Sequence, residues 1–354
     1  MSNLRSGPRH RRSGGFGLIE IMVGLLIGSI LIAGVVQLFI GSRRAYETNE
    51  AMARIQENGR FALMELTRDI RMAGYQGCGN IRADSMQTNI IAEGSISEIQ
   101  AFMTDNVIDG INDIGTNTFQ AQPGTDVITL RFASPNAAAV TEADVENANL
   151  KIANNSPGIE QGETVVVSDC VNADVFNVTN VSNTSNGPEI TLAHANNLNT
   201  ANRLSKVYDE GALLMRFVSR RYYVRDTGRT GIDGDPILAL YRDDPADAAS
   251  AVPLIDGVES LQILYGEDTT ADGEVDRFAT ADAVDMDNVI AVRISLLIGS
   301  TGPAKDVAEA GTFQVADVTA GPDAELDLEP DRRLRMVFTA STSLRNRELL
   351  SDEL

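Results

Sequence analysis

The chain carries few of the side chains that acid–base and redox chemistry need. Its 354 residues include two histidines, two cysteines and no tryptophan. His10 lies in a basic head, so His194 is the only imidazole beyond it, which argues against a multi-histidine metal site or a histidine-dependent triad. Basic residues are scarce too: 29 Lys and Arg face 50 Asp and Glu, a formal charge of -21. Phosphate neutralisation needs a basic face, so a nucleic-acid binder is excluded as a class. No internal repeat is visible and no glycine-rich phosphate loop precedes a helix. Carboxylates are too numerous in so acidic a chain to single out a catalytic pair.

What is present is enough apolar material for a sizeable core, with 43% hydrophobic and 22% charged residues. The charge is unevenly placed. Met1 to Gly15 holds Arg5, Arg9, Arg11 and Arg12 and no acid, leaving 25 basic against 50 acidic residues in the remainder. Next comes Phe16 to Ile40, FGLIEIMVGLLIGSILIAGVVQLFI, where Glu20 is the only charge. At about 1.5 Å per residue this run crosses a hydrocarbon layer of roughly 30 Å. The arginines before it place Met1 in the cytoplasm and the body outside. No A-x-A-like cleavage region follows the run, unlike a secretory signal peptide.

The junction before the run is more specific. Ser13-Gly14-Gly15 meets Phe16, and Glu20 follows four residues later. This resembles the class III signal of type IV prepilins and type II secretion pseudopilins. The resemblance implies cleavage between Gly15 and Phe16 by an inner-membrane prepilin peptidase that N-methylates Phe16. The energetics agree. An acid inside a membrane helix costs about 2.5–3.5 kcal/mol on insertion scales, and a freed α-amino group, with a reference pKa of about 7.7–8, supplies a cation. Phe16 and Glu20 are i and i+4 on one helix face, so Glu20 can meet its own terminus or a neighbour's. Gly24 and Gly28 form a G-x-x-x-G pair, which permits close helix approach. The bland reading is an ordinary signal-anchor with Glu20 near the headgroups.

Beyond Ile40 there is no turn cluster, and Met52, Ile55, Gly59, Ala62, Leu66, Ile70 and Ala73 recur at spacings of 3 and 4. Glu50 with Arg54, Glu57 with Arg60 and Glu65 with Arg68 are favourable helical pairs. Gly74 reads as the stop, after Arg71 in the preceding turn. One helix from Phe16 to Ala73 is therefore expected, apolar all round over 16–40 and amphipathic over 41–74.

From 75 to 354 the pattern is β-rich. Strands are expected at Asp126 to Phe132, Thr164 to Val167, Val175 to Val181, Glu189 to Leu192, Leu213 to Arg225, Ile237 to Arg242, Val258 to Tyr265, Val289 to Ile298 and Arg335 to Ala340. In Val292-Arg293-Ile294-Ser295-Leu296 apolar and polar faces alternate. The fold class is α+β, a long N-terminal helix packed on a mostly antiparallel sheet or pair of sheets. The Asn-rich stretch 144–202 reads as an insertion of short strands and long surface loops, with His194 exposed and the sequon residues Asn154, Asn177, Asn180 and Asn183 solvated.

Arg60 to Cys78 (RFALMELTRDIRMAGYQGC), Gly257 to Gly266 (GVESLQILYG), Val289 to Leu297 (VIAVRISLL) and the ending Arg335-Met336-Val337-Phe338 to Leu344-Arg345-Asn346-Arg347 are similar in order and wording to the PilW group of minor pilins. A looser likeness reaches the large J-type pseudopilin of type II secretion. The tryptophan that PilW-like chains often carry before the VAVR strand is missing here. The resemblance implies a pilin-like fold without catalysis: a minor pilin near the tip of a type IV pilus that helps start assembly and supports adhesion and twitching motility. Its partners would be other minor pilins, the major pilin, the prepilin peptidase and the inner-membrane assembly platform. Its location would be the inner membrane with a periplasmic body, then the fibre. The alternatives are a type II secretion pseudopilin and a membrane-anchored, non-polymerising, calcium-binding adhesin.

Two smaller constellations stay open. Cys78 and Cys170 read as a disulfide in an oxidising periplasm, against a pair of free thiols. Asp268, Thr270, Asp272, Glu274 and Asp276 place oxygens at alternating positions around Gly273, as a Ca2+ loop requires. Ala279 stands where an EF-hand has its last acid, and the competing reading is a solvated hairpin turn.

Overall fold

A computed structural model describes residues 17–77, 87–94, 96–104, 106–144, 148–183, 189–232, 234–309 and 311–347. The chain divides into two units, Met1–Glu50 and Ala51–Leu354. Helix α1 (Leu18–Met72) begins in the first and ends in the second. In chain order there follow β1 (Gln87–Ile90), α2 (Ile96–Met103), β2 (Ile108–Ile111), β3 (Val127–Asp144), β4 (Asn149–Ile152), β5 (Thr164–Ser168), β6 (Asn172–Asn177), β7 (Asn180–Asn183), β8 (Ile190–Ala193) and β9 (Leu213–Thr230). Then come β10 (Pro236–Asp244), β11 (Asp247–Asp256), β12 (Val258–Glu267), β13 (Arg277–Ala279), β14 (Val289–Gly299), β15 (Phe313–Val315), β16 (Val318–Gly321), β17 (Leu326–Asp327) and β18 (Arg335–Ser343).

These strands form three sheets. The largest has the order β1-β6-β5-β9-β3-β4-β8-β7, with β10 joining β9 to β11 and with β2 beside β3. The second is β13-β12-β14-β18 and the third is β15-β16-β17. Pairing is antiparallel except between β1 and β6 and between β16 and β17. The fold is thus α+β and pilin-like in plan: a long N-terminal helix and mostly antiparallel sheets. Within the second unit one core joins α1 (Ile55, Ala62, Leu66, Ile70) to the largest sheet (Leu130, Val166, Tyr222) and to the second (Leu261, Ile263, Ile294). The amphipathic stripe is what places the helix there, since each fully buried side chain of this size stabilises by about 1.5–3 kcal/mol.

The expected alternation in β14 holds in residue type at Arg293 and Ser295, although Ser295 is itself buried, and ends at Leu297. There the three-stranded sheet covers the outer face with Val315 and Ala320, so both faces are buried.

The stretch 144–202 differs from expectation. It is not mainly surface loop, because β5 and β6 lie inside the largest sheet, with β5 paired to β9. Val140, Leu150, Val165, Phe176 and Leu192 enclose a second core. Asn177 is buried rather than solvated: its Nδ2 donates to the carbonyls of Glu93 and Leu198, and its N–H to Asn199 Oδ1. His194 is fully buried, with its ring 5.1 Å from that of Phe176. The apolar wall of the second core outweighs the polar sequence around it. Neither α2 nor β11 was expected; α2 spans only eight residues, and β11 reads DAASAVPLID, with proline and little branched character.

Candidate functional site

The first half of α1 has no use inside the described unit to which it belongs. Sixteen large apolar side chains from Leu18 to Ile40 are exposed. The helix is long and apolar enough to cross a membrane, and its most apolar window is wholly unburied. At about 1.5–3 kcal/mol per side chain, so long an exposed apolar run suits a membrane anchor.

Glu20 stands in the first turn, exposed, its N–H donating to the Gly17 carbonyl at 2.9 Å. First-turn N–H groups lack intrahelical acceptors and the helix dipole is positive there, so a carboxylate is favoured by about 0.3–1 kcal/mol before any partner arrives. Gly24 and Gly28 follow at i+4 and i+8, on the same side of the helix. A Cβ added to either would meet nothing within 4 Å. Among the described residues their smallness accommodates no neighbour, and it leaves room for another helix. Gly15 and Phe16 lie outside the described residues.

The second half of α1 is held by groups the apolar stripe does not reveal. Gly59 comes so near β18 that a Cβ there would stand 2.5 Å from the Phe338 ring. Asp69, almost fully buried between Leu66 and Ile70, accepts from Arg220 Nη1 at 2.6 Å and from the Tyr222 hydroxyl. Burial first, then that carboxylate, push the Tyr222 phenol above its ordinary value. Glu65 takes Arg68 in the expected i, i+3 pair. Gly74, at φ +78°, ends the helix, and its N–H turns to the Arg131 carbonyl. Asn346 Nδ2 reaches the carbonyls of Arg71, Met72 and Ala73, the last at 2.9 Å, satisfying acceptors left open at the helix end. Neither Asp69 nor Asn346 was expected. The signal for Asp69 was an acid inside an apolar stripe.

Other expected positions are placed as follows. Cys78 lies outside the described residues; Cys170, at φ +73° between β5 and β6, is not a free thiol. In the 268–276 loop, Asp268 accepts from the N–H groups of Thr270, Asp272 and Gly273, and Asp276 from the N–H and hydroxyl of Thr269 and Thr270. These bonds hold both carboxyls below the ordinary aspartate range, led by the N–H of Gly273 for Asp268 and the hydroxyl of Thr269 for Asp276. Asp272 accepts from Glu274 N–H. Among the described residues no three His, Cys, Asp or Glu side chains converge as a ligand set.

Several buried titratable groups elsewhere are paired within the second unit. Arg131 forks onto Glu98, which also takes the Ser219 hydroxyl. Arg335 joins Glu259 to Asp331. Asp126 accepts the N–H of Asp113 and of Ile263, yet burial outweighs them and pushes its carboxyl up to about 6.

Comparison with known proteins agrees with this geometry at both ends of the chain. Residues 10–36 match the prokaryotic N-terminal methylation motif, and residues 221–346 match Type IV Pilus-assembly protein W. The second match begins in β9 and closes on Asn346. No curated protein matches the chain. Among solved structures, "Phage phi92 endosialidase" aligns at 9% identity and a TM-score of 0.19, over 55% of this chain and 36% of that one. A similarity so low carries no argument, and the chain spans about a third of that protein's length.

Proposed function

We propose, from the premise that this chain is a PilW-type minor pilin, that it enters the type IV pilus at the start of assembly and stays near the tip beside other minor pilins. The observation that carries this reading is the exposed half of α1, where a first-turn acid and two glycines share one side of a helix that no other described residue covers. Cleavage between Gly15 and Phe16 frees a cation at the position i−4 to Glu20, and N-methylation keeps it cationic. In a bundle, Glu20 offsets the amine of a neighbouring subunit while Gly24 and Gly28 admit the neighbour's backbone.

The partners on this reading are the prepilin peptidase, the inner-membrane platform, the major pilin and other minor pilins, with the β-rich body in the periplasm. Adhesion and twitching motility are its outputs. The match to a pilus-assembly family favours the pilus over a secretion pseudopilus.

The test is to delete the chain, count pili and measure twitching, then restore it as wild type and as Glu20→Ala. Wild type is expected to restore pili, with a mature terminus of N-methyl-Phe16 by mass spectrometry. Glu20→Ala is expected to insert in the membrane and fail to incorporate. An intact Met1 terminus on a functional protein, or unchanged pilus number in the deletion, would overturn the reading.

A further inference from the structure

Within the second unit, the outward face of α1 reverses the charge of the body that carries it. Residues 73–354 hold 44 Asp and Glu against 19 Lys and Arg. On the side of the helix opposite Ile55, Ala62, Leu66 and Ile70, spacings of 3 and 4 bring Glu57, Arg60, Met64, Arg68 and Arg71 onto one stripe about 21 Å long, with Phe61 at its margin. Phe61 is 44% exposed and Met64 55%, so the stripe is apolar as well as basic. Two of its arginines also have local duties: Arg68 forks onto Glu65, and Arg71 Nε reaches Thr342 Oγ1 at 3.0 Å. Arg60 has no hydrogen-bond or ion-pair partner among the described residues. Three arginines against one acid, beside two exposed large apolar side chains, suit a cover that is acidic and partly apolar.

The second unit itself presents such a surface. Residues 268–288, from the end of β12 to the start of β14, hold seven Asp and Glu and one basic residue, Arg277. Arg277 is taken by the buried Glu267, so it neutralises none of the seven. Asp272, Glu274 and Asp282 are exposed, with Phe278 and Val284 half-buried among them. Within the chain these acids do not meet the helix stripe: Arg68 pairs with Glu65 and Asp69, and Arg71 with Thr342. At physiological ionic strength the Debye length is about 8 Å, so the net acidity of two bodies is screened while charges brought into contact still attract. We propose that the outward face of α1 over residues 57–71 docks the acidic surface 268–288 of a second copy of this chain. Because the two surfaces differ, the contact is heterologous. It imposes no twofold axis, lets the two bodies keep one orientation, and leaves each copy with a surface for the next. Arg60 gains the carboxylate it lacks, and Phe61 and Met64 are covered.

This contact uses the second unit alone and goes beyond the pilus reading, so pilus counts do not bear on it. Full-length chain in detergent is followed by sedimentation velocity at about 50 mM and about 500 mM salt, where exposed charge pairs are weakly and strongly screened. Oligomers that grow with protein concentration are expected at the lower salt and are expected to dissociate at the higher. Arg60→Glu with Met64→Glu reverses the helix face, and Glu274→Lys with Asp282→Lys reverses the acidic surface; all four positions are exposed. Each double variant alone sets like charges against each other and is expected to weaken association by about tenfold or more. An equal mixture of the two is expected to associate again, because the reversed helix then meets the reversed acidic surface. A wild-type protein that stays monomeric at the lower salt overturns the proposal. So does association that both variants leave intact, which would assign it to the apolar run of α1, and so does a mixture that stays dissociated. Should either variant lose its cooperative melt, a photo-crosslinking benzoylphenylalanine at Met64 in the otherwise native chain decides. Its adducts are expected on residues 268–288 of a second copy, and adducts confined to other residues, or none, overturn the contact.

Discussion

Gly24 and Gly59 stand on the same helix and do opposite things. A Cβ at Gly59 would collide with the Phe338 ring, whereas one at Gly24 or Gly28 meets empty space. Gly59→Ala is therefore expected to cost about 1–3 kcal/mol of overpacking, visible as a lower melting temperature. Gly24→Leu with Gly28→Leu should leave the melt unchanged and reduce incorporation into fibres. His194 gives a second residue-scale expectation. Both ring nitrogens are buried with no hydrogen-bond partner among the described residues, and burial holds the imidazole below its ordinary value. A folded-state value below the unfolded one means that the unfolded chain binds the proton more strongly, so this group's contribution is present above about pH 6.5 and is lost as pH falls. Asp126 acts oppositely: its carboxyl, raised to about 6, favours the folded state below the unfolded value and loses that contribution as pH rises through about 6. The His194 effect is therefore read as a difference. His194→Phe should match or exceed wild type at pH 7 and lose less stability between pH 7 and pH 5, measured by urea denaturation. Equal pH slopes in the two proteins would show that the imidazole is not held neutral.

At the scale of elements, α1 depends on charge as much as on its apolar stripe. Asp69 is the one acid on its buried face and bridges Arg220 and Tyr222 of β9. Asp69→Ala leaves the Arg220 guanidinium, itself half-screened by solvent, without its carboxylate. The expected loss is about 2–3 kcal/mol, below the 3–5 kcal/mol of a fully buried broken pair. Calorimetry checks it, and Arg220→Met with Asp69→Leu should recover much of it. Where sequence and structure agree follows from periodicity. The helix was legible to within one residue at its C-terminal end, because an unbroken 3–4 spacing ran into Gly74; its expected start at Phe16 lies outside the described residues. β9, β10, β12, β14 and β18 were legible because branched and aromatic residues bunched between turn residues. What stayed hidden was set by tertiary neighbours. Nothing local shows that β5 is paired to β9, that Phe176 and the second core enclose His194, or that Asn346 caps a helix that ended at residue 72. Glu20, Gly24 and Gly28 stand out in the sequence for the opposite reason, as a charge and two gaps in a run that local physics would otherwise fill with leucine.

For the whole molecule, the division after Glu50 has direct consequences. Cys170 is not a free thiol and the chain's only other cysteine is Cys78. A bridge between them would close a loop of about 93 residues, which in the chain-entropy model stabilises by about 4–5 kcal/mol. Reduction should therefore shift the band on a non-reducing gel and lower the melt, and labelling of both thiols under oxidising conditions would exclude the bridge. The boundary itself predicts where the chain can be cut. A chain beginning at Ala51 keeps Ile55, Ala62, Leu66, Asp69 and Ile70, all buried in the second unit's core, and discards the exposed apolar run. It should be soluble and melt within about 2 °C of the full-length protein in detergent. A chain beginning at Gly74 loses three large buried side chains at about 1.5–3 kcal/mol each. It also loses the Asp69 bridge and leaves Asn346 without the carbonyls it caps. That total rivals the 5–15 kcal/mol that holds a typical domain together. Cooperative unfolding is expected from the chain that begins at Ala51 and none from the chain that begins at Gly74. A cooperative melt from the Gly74 chain would mean that the body folds without its helix, and that α1 serves only the membrane and the bundle.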